Sequence, residues 1–283
     1  MLYKRLRSLS LMMFSFIFIA PASAQYFYKD IWNNQLLLKE FNTLRNENIK
    51  SIVIKSFEDD GQPSEGFFCE KRIDKNYSRS EMASNSYISG QSLMISFYNS
   101  KGLLIKTVDS SSSSSNTSEY IYDDKGRIKI ISNKSKADDD SLGNIIETRE
   151  YFYNPIGKVE KMVRKKNDRL ISTVRFITDE KGNVAEEQEA LAGNTGKKYY
   201  YYYDDKNHLT DVVHYNERAK RLLPDYMFEY NNSGQVRSMV STEDGTSNYF
   251  IWKYTYNDQR LRETETCLSK EKRLLGTISY KYK

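Results

Sequence analysis

From about residue 96 onward, apolar and polar positions alternate with period two over short stretches, and each stretch is broken by a polar turn. The recurring unit is aromatic-x-Tyr-Asn/Asp-x-x-Gly-x-aliphatic. Clear copies start at Tyr120, Tyr151 and Phe228 and end at Ile128, Val159 and Val236. Period two puts both aromatics on one face of a strand. Asn/Asp-x-x-Gly is turn chemistry, with glycine supplying a positive φ. The aliphatic residue opens the returning strand, and an echo four residues later (Leu104 and Val108, Val159 and Val163, Leu209 and Val213, Val236 and Val240) predicts a shared face.

Degenerate copies fill the intervals. The Phe176–Val184 copy has Thr178 in the second aromatic slot, and the Tyr201–Leu209 copy has Asn207 for glycine, a residue that tolerates left-handed backbone. Tyr254–Leu261 lacks the glycine and reads as one residue short. Tyr98–Leu104 and Phe57–Gly61 are weaker copies, and Tyr280-Lys281-Tyr282 is a half-unit. The second-slot positions are 57, 98, 122, 153, 178, 203, 230, 256 and 282, with final spacings of 25, 25, 27, 26 and 26. One such hairpin is marginal alone, but stacked hairpins share a continuous core.

The expected fold is therefore all-β: tandem antiparallel hairpins in a curved or solenoid-like meander sheet. The face opposite the aromatics carries Ile121, Phe152, Ile177 and Tyr202, then Glu229, Thr255 and Lys281, so it is apolar mid-array and polar later. Ile31, Trp32, Leu37, Phe41 and Leu44 recur at helical spacing over Asp30–Asn46, which predicts a short capping helix with Asp30 as N-cap. The Tyr26-Phe27-Tyr28 lead-in could instead begin a strand. The domain reading is a signal peptide at 1–24, a helical cap segment at 25–48 and a hairpin-repeat domain at 49–283, with an insertion at 62–92. Ser110–Ser115 reads as a flexible loop.

These units resemble the YD repeat of the Rhs/teneurin type, whose core is Tyr-x-Tyr-Asp-x-x-Gly-x-Leu, and the likeness runs from about Ser96 to the end. The chain also looks like short exported repeat proteins of Bacteroidetes type. The resemblance implies a strand-rich scaffold and transfers no catalytic residue. It does not imply toxin delivery, since the chain is too short for a large shell. Likeness to cell-wall-binding repeats is weaker, because Trp32 and Trp252 both miss the repeat's aromatic slots.

The N-terminus changes the charge picture. Lys4, Arg5 and Arg7 precede an apolar run from Leu9 to Ala20, then Pro21 and Ala22-Ser23-Ala24, the form of a cleavable export signal. The run is too short to span about 30 Å of hydrocarbon, and no cysteine follows the cut to carry a lipid. A secreted or periplasmic protein is expected, with no membrane span after cleavage. Removing the three basic residues of the signal from 43 leaves 40 Lys+Arg against 38 Asp+Glu. That balance gives no footprint for nucleic acid, and the cluster Lys161, Arg164, Lys165, Lys166 and Arg169 reads as a solvated loop flank. Cys69 and Cys267 are permitted to form a disulfide by export; a bond between them would mean that the sheet closes on itself.

Candidate chemistry is sparse. His208 and His214 neighbour no nucleophile motif, and there is neither zinc-ligand spacing nor a phosphate loop. Asp138-Asp139-Asp140 lacks the alternating ligands of a calcium loop, so no metal, cofactor or catalytic residue is assigned. Asp140-Ser141-Leu142 matches a bacterial O-glycosylation pattern at Ser141. In the run Tyr199–Tyr203, Tyr200 and Tyr202 point away from the aromatic face and are the binding candidates, although packing on a second face is favoured for them. The functional expectation is an exported, non-catalytic scaffold that binds a protein or glycan partner at the envelope or outside the cell. The alternative is a secreted hydrolase with its site in the irregular N-terminal third.

Overall fold

A computed structural model describes residues 26–87, 89–111, 114–137, 144–191, 194–216, 219–243 and 246–283. Residues 1–24, read above as an export signal, Asp138–Asp140 and Ser141 lie outside the described residues. One helix, α1 (Tyr28–Asn46), precedes β1 (Ser51–Phe57), β2 (Phe68–Ile73), β3 (Arg79–Ser86), β4 (Gly90–Tyr98), β5 (Leu104–Ser111) and β6 (Ser114–Tyr122). Then come β7 (Ile128–Ala137), β8 (Ile145–Tyr153), β9 (Val159–Lys166), β10 (Arg169–Thr178), β11 (Val184–Leu191) and β12 (Asn194–Tyr203). The wall ends with β13 (Leu209–Asn216), β14 (Arg221–Tyr230), β15 (Val236–Thr242), β16 (Tyr249–Tyr256), β17 (Arg262–Leu268) and β18 (Leu274–Tyr282). Each strand pairs antiparallel with the next, and β1 pairs with β18 from Ile52↔Tyr282 to Phe57↔Thr277. The meander is thus a closed 18-stranded barrel, more specific than the open or solenoid-like sheet expected.

The repeat builds this curvature. In every unit from Tyr98 to Tyr256 the register shifts at the second-slot residue, for example between Tyr202 and Tyr203 opposite Leu209 and Asp211. Each shift is a β-bulge, which bends and twists the sheet. It also changes parity on the returning strand. Tyr201 faces Val212, and Tyr200 faces Val213. The inward partner of the aliphatic residue is therefore three residues on (Thr107, Ile131, Met162, Val212, Met239), whereas Val108, Val163, Val213 and Val240 take the outer parity. The predicted shared face at four residues is corrected by the extra bulge residue.

Turn chemistry repeats at one end of the barrel. Asp204 Oδ1 accepts the backbone N–H groups of Lys206 and His208 at 2.9 and 2.8 Å, and Asn231 does the same for Ser233 and Gln235 at 3.0 Å each. The Asn257 turn closes with the same backbone pattern, so it is full length: Arg260 fills the glycine slot at φ 62°, and Arg262 fills the aliphatic slot. Units are also tied to one another. The phenol of Tyr153 donates to the Ile128 carbonyl at 2.7 Å, that of Tyr203 to Val184 at 2.8 Å, that of Tyr230 to Leu209 at 2.7 Å and that of Tyr256 to Val236 at 2.7 Å.

Within residues 62–92, where the repeat is interrupted, lie β2, β3 and the start of β4, all paired into the wall. The Phe57–Gly61 copy makes a similar turn at the opposite end of the barrel.

A barrel this wide leaves space that wall side chains cannot fill, and α1 occupies part of it. Its side chains meet the wall all round: Asn34 accepts from Tyr122 at 2.9 Å, Trp32 packs on Phe228 at 5.3 Å, and Phe41 stacks on Tyr98 at 4.1 Å. The helix therefore lies in the lumen rather than capping the first hairpin. Its lead-in, Tyr26 and Phe27, is buried and not a strand. Outside, Glu119, Lys161, Arg175, Glu229, Lys253 and Lys281 are exposed along the wall. Among the described residues, no helix is long and apolar enough to cross a membrane.

Candidate functional site

The site is the lumen at the end carrying the repeated turns. Each unit places its residue after the glycine slot on the inner rim, and that residue leans on the next unit. Arg127 lies over the Tyr153 ring at 4.1 Å, and His208 stacks on Tyr230 at 4.6 Å. A Cβ on Gly182 would meet the Lys158 side chain at 2.6 Å, and one on Gly234 would meet His208 at 2.9 Å. These glycines thus supply clearance as well as positive φ. Inside the rim, beside α1, lies a cavity of about 890 Å³. Ile31, Trp32 and Leu36 of α1, Ile52 and Ile54 of β1, Lys71 of β2 and Met82 of β3 line it together with the rim.

Two polar clusters hold the helix and wall in place. At the N-terminus of α1, Glu187 of β11 accepts the N–H of Phe27 at 2.8 Å, the N–H of Tyr28 at 2.9 Å and the Tyr201 hydroxyl at 2.7 Å. It performs the capping task expected of Asp30, and a carboxylate suits that helix end. Burial pushes the Glu187 carboxyl up from 4.5 to about 7, against the lowering effect of those hydrogen bonds. Asp30 itself accepts from Arg149 at 2.6 Å and from Tyr151 at 2.5 Å. In the cavity wall, Glu265 accepts from Arg262 and from the Tyr280 hydroxyl, each at 2.6 Å.

None of these carboxylates was marked as functional by the repeat, but a signal exists. Glu187 and Glu265 occupy the slot three residues after Val184 and Arg262, the slot that Met162, Val212 and Met239 fill in other units. A charge in an otherwise apolar inward slot marks a lumen contact once the bulge is counted.

The sequence-derived candidates are scattered. Tyr202 is 48% exposed on the outer wall, and Tyr200 is half-buried beside it under Lys198, so the second-face packing favoured for them is not what is found. Ile121, Phe152 and Ile177 share that exposed outer stripe. Cys69 and Cys267 are both buried and free. They sit on β2 and β17, separated by β1 and β18, which puts them on the order of 14 Å apart or more at the usual strand spacing, beyond disulfide reach. Closure of the sheet thus comes without the bond that would have reported it. His208 is held by Asp204 at 2.9 Å and His214 by Asp225 at 3.0 Å, in different parts of the barrel. Among the described residues, no group of three or more His, Cys, Asp or Glu is placed to hold a metal ion.

No protein-family model matches the chain, and no curated protein matches it. Among solved structures, it is similar to a porin-like protein from Bacteroides uniformis ATCC 8492 at 10% identity, covering 83% of this chain and 96% of that one, with a TM-score of 0.42. A porin-like protein from Bacteroides vulgatus ATCC 8482 follows at 10% identity, covering 83% and 98%, with a TM-score of 0.27. A crystal structure of TcdB2-TccC3-TEV is similar at 8% identity over 77% of this chain and 16% of that one, with a TM-score of 0.30. All three scores lie below 0.5, and the barrel stands on its own strand pairings.

Proposed function

We propose that the protein is a short exported repeat protein of YD type, a non-catalytic envelope or secreted barrel that binds a partner in its lumen. The observation that carries this is the cavity of about 890 Å³ beside α1, inside a closed wall. Barrel mouths are recurrent ligand sites, and this volume suits a small molecule or a short glycan. His208 and His214 each pair with a carboxylate, and the N-terminal third contributes α1 to the lumen and β1 to β4 to the wall.

A second reading rests on the 48% exposure of Tyr202, which offers a protein partner an aromatic foothold on the outer wall. One screen separates the two. The purified protein is tested against a glycan array and envelope extracts, beside Leu36→Trp, which fills the cavity from the helix, and Tyr202→Ala. Loss of the bound partner with Leu36→Trp alone supports the lumen; loss with Tyr202→Ala alone moves the site outside. A folded protein that retains nothing in any form sinks both.

A further inference from the structure

We propose that the lumen cavity takes an anionic organic molecule, a carboxylate or sulfonate on an apolar or aromatic body, with the Lys71 ammonium as its principal contact. The proposal deepens the lumen-binding reading and rests on it.

Charge is the first ground. The cavity is lined by the cations Lys39, Lys71, Arg127, Lys158, Arg260 and Arg262 and by the anions Glu40 and Glu265. Arg127 is held by Asp123 at 2.5 Å, and Arg262 is held by Glu265 at 2.6 Å. The other four cations have no carboxylate within 4.0 Å among the described residues, so Glu40 alone opposes them. A cleft with an excess of one sign of charge and low-dielectric walls focuses its field on what enters. The concentration is local, because the chain without its signal region is almost neutral.

Lys71 is the second ground. It points inward from β2 between the buried Cys69 and Ile73, and it faces Ile52 on β1 and Met82 on β3 across the ladder. Burial works against the Lys71 ammonium, but the nearby Tyr98 phenol and Glu40 carboxylate outweigh it and hold its pKa above the ordinary lysine value, so the group stays charged at the cavity edge. It is half-buried and borders the cavity, so an entering anion can reach it.

The third ground is what the remaining wall offers. The phenols of Tyr153, Tyr203, Tyr230, Tyr256 and Tyr282 already donate to backbone carbonyls. Their rings, with Trp32, therefore present faces and edges, which suit an apolar or aromatic body better than a polyhydroxylated one.

The test uses two dyes with the same aromatic body, the sulfonate 8-anilinonaphthalene-1-sulfonate and the neutral N-phenyl-1-naphthylamine. Each is titrated into the purified full chain by fluorescence. The sulfonate is expected to bind saturably and to draw energy from tryptophan, a signal reduced but not abolished in Trp32→Phe, because Trp252 also lies in the inner core. Lys71→Met should weaken it about tenfold, leave the neutral dye unchanged and be rescued by Lys71→Arg. Should Lys71→Met not fold, Lys39→Ser and Lys158→Met serve, with a smaller loss of the sulfonate alone. Equal affinity for both dyes, or an unmoved sulfonate in the folded variants, overturns the anion assignment while leaving a lumen site. Binding of neither dye defeats the lumen reading itself.

Discussion

Glu187 shows how much one side chain can carry in this barrel. Its folded pKa of about 7 lies above the ordinary 4.5, so its contribution to stability is fully present below about pH 4.5 and is lost as pH rises through 7. Chemical unfolding of the wild type should therefore show stability falling across that window by up to about 3 kcal/mol. Glu187→Gln should lack that slope, and an unchanged profile would remove the carboxylate from this role. The two thiols make a separate prediction. Burial pushes Cys69 and Cys267 each to about 12, so neither should react with a thiol reagent in the native protein at neutral pH. Both should titrate on unfolding; two unreactive sulfurs in denaturant would mean a bond.

At the scale of the element, the hairpin was legible and its consequences were not. Spacing, turn residues and the aromatic pair are local, and they give the strands almost directly. The bulge at the second slot is also local, but it arises from how two strands pair, so period two misplaced Val163 and Val213 on the inner face. For α1 the helical spacing marked the span to within two residues at its start, whereas its position depended on partners such as Glu187 and Arg149, more than a hundred residues away. A helix wedged among wall side chains should exchange its amide hydrogens as slowly as the central strands, measured by deuterium uptake; fast exchange over 28–46 would place it outside. Thr178 supplies a test of the inter-unit tie, because it replaces a second-slot tyrosine and borders the cavity. Thr178→Tyr should reach the Val159 carbonyl and gain up to about 1 kcal/mol, and Tyr230→Phe should lose a similar amount. Urea unfolding of both would read the effect.

For the molecule as a whole, the seam between β1 and β18 decides whether there is a barrel at all. No spacing in the sequence announces it, since every hairpin would pair the same way in an open sheet. What sets it is the summed bend of the bulges and the girth of the enclosed helix. Removing Leu274–Lys283 should expose the edges of β1 and β17, and unpaired edges recruit other chains; size-exclusion chromatography should find oligomers or aggregate in place of a monomer-sized species. The same seam dictates an order of assembly. Ile52 meets Tyr282 across nearly the whole described chain, so this contact forms late and at the highest loop cost. An α1 already standing within the curling sheet is then enclosed as the seam closes. In that order the helix is a mandrel, present before the wall is wound.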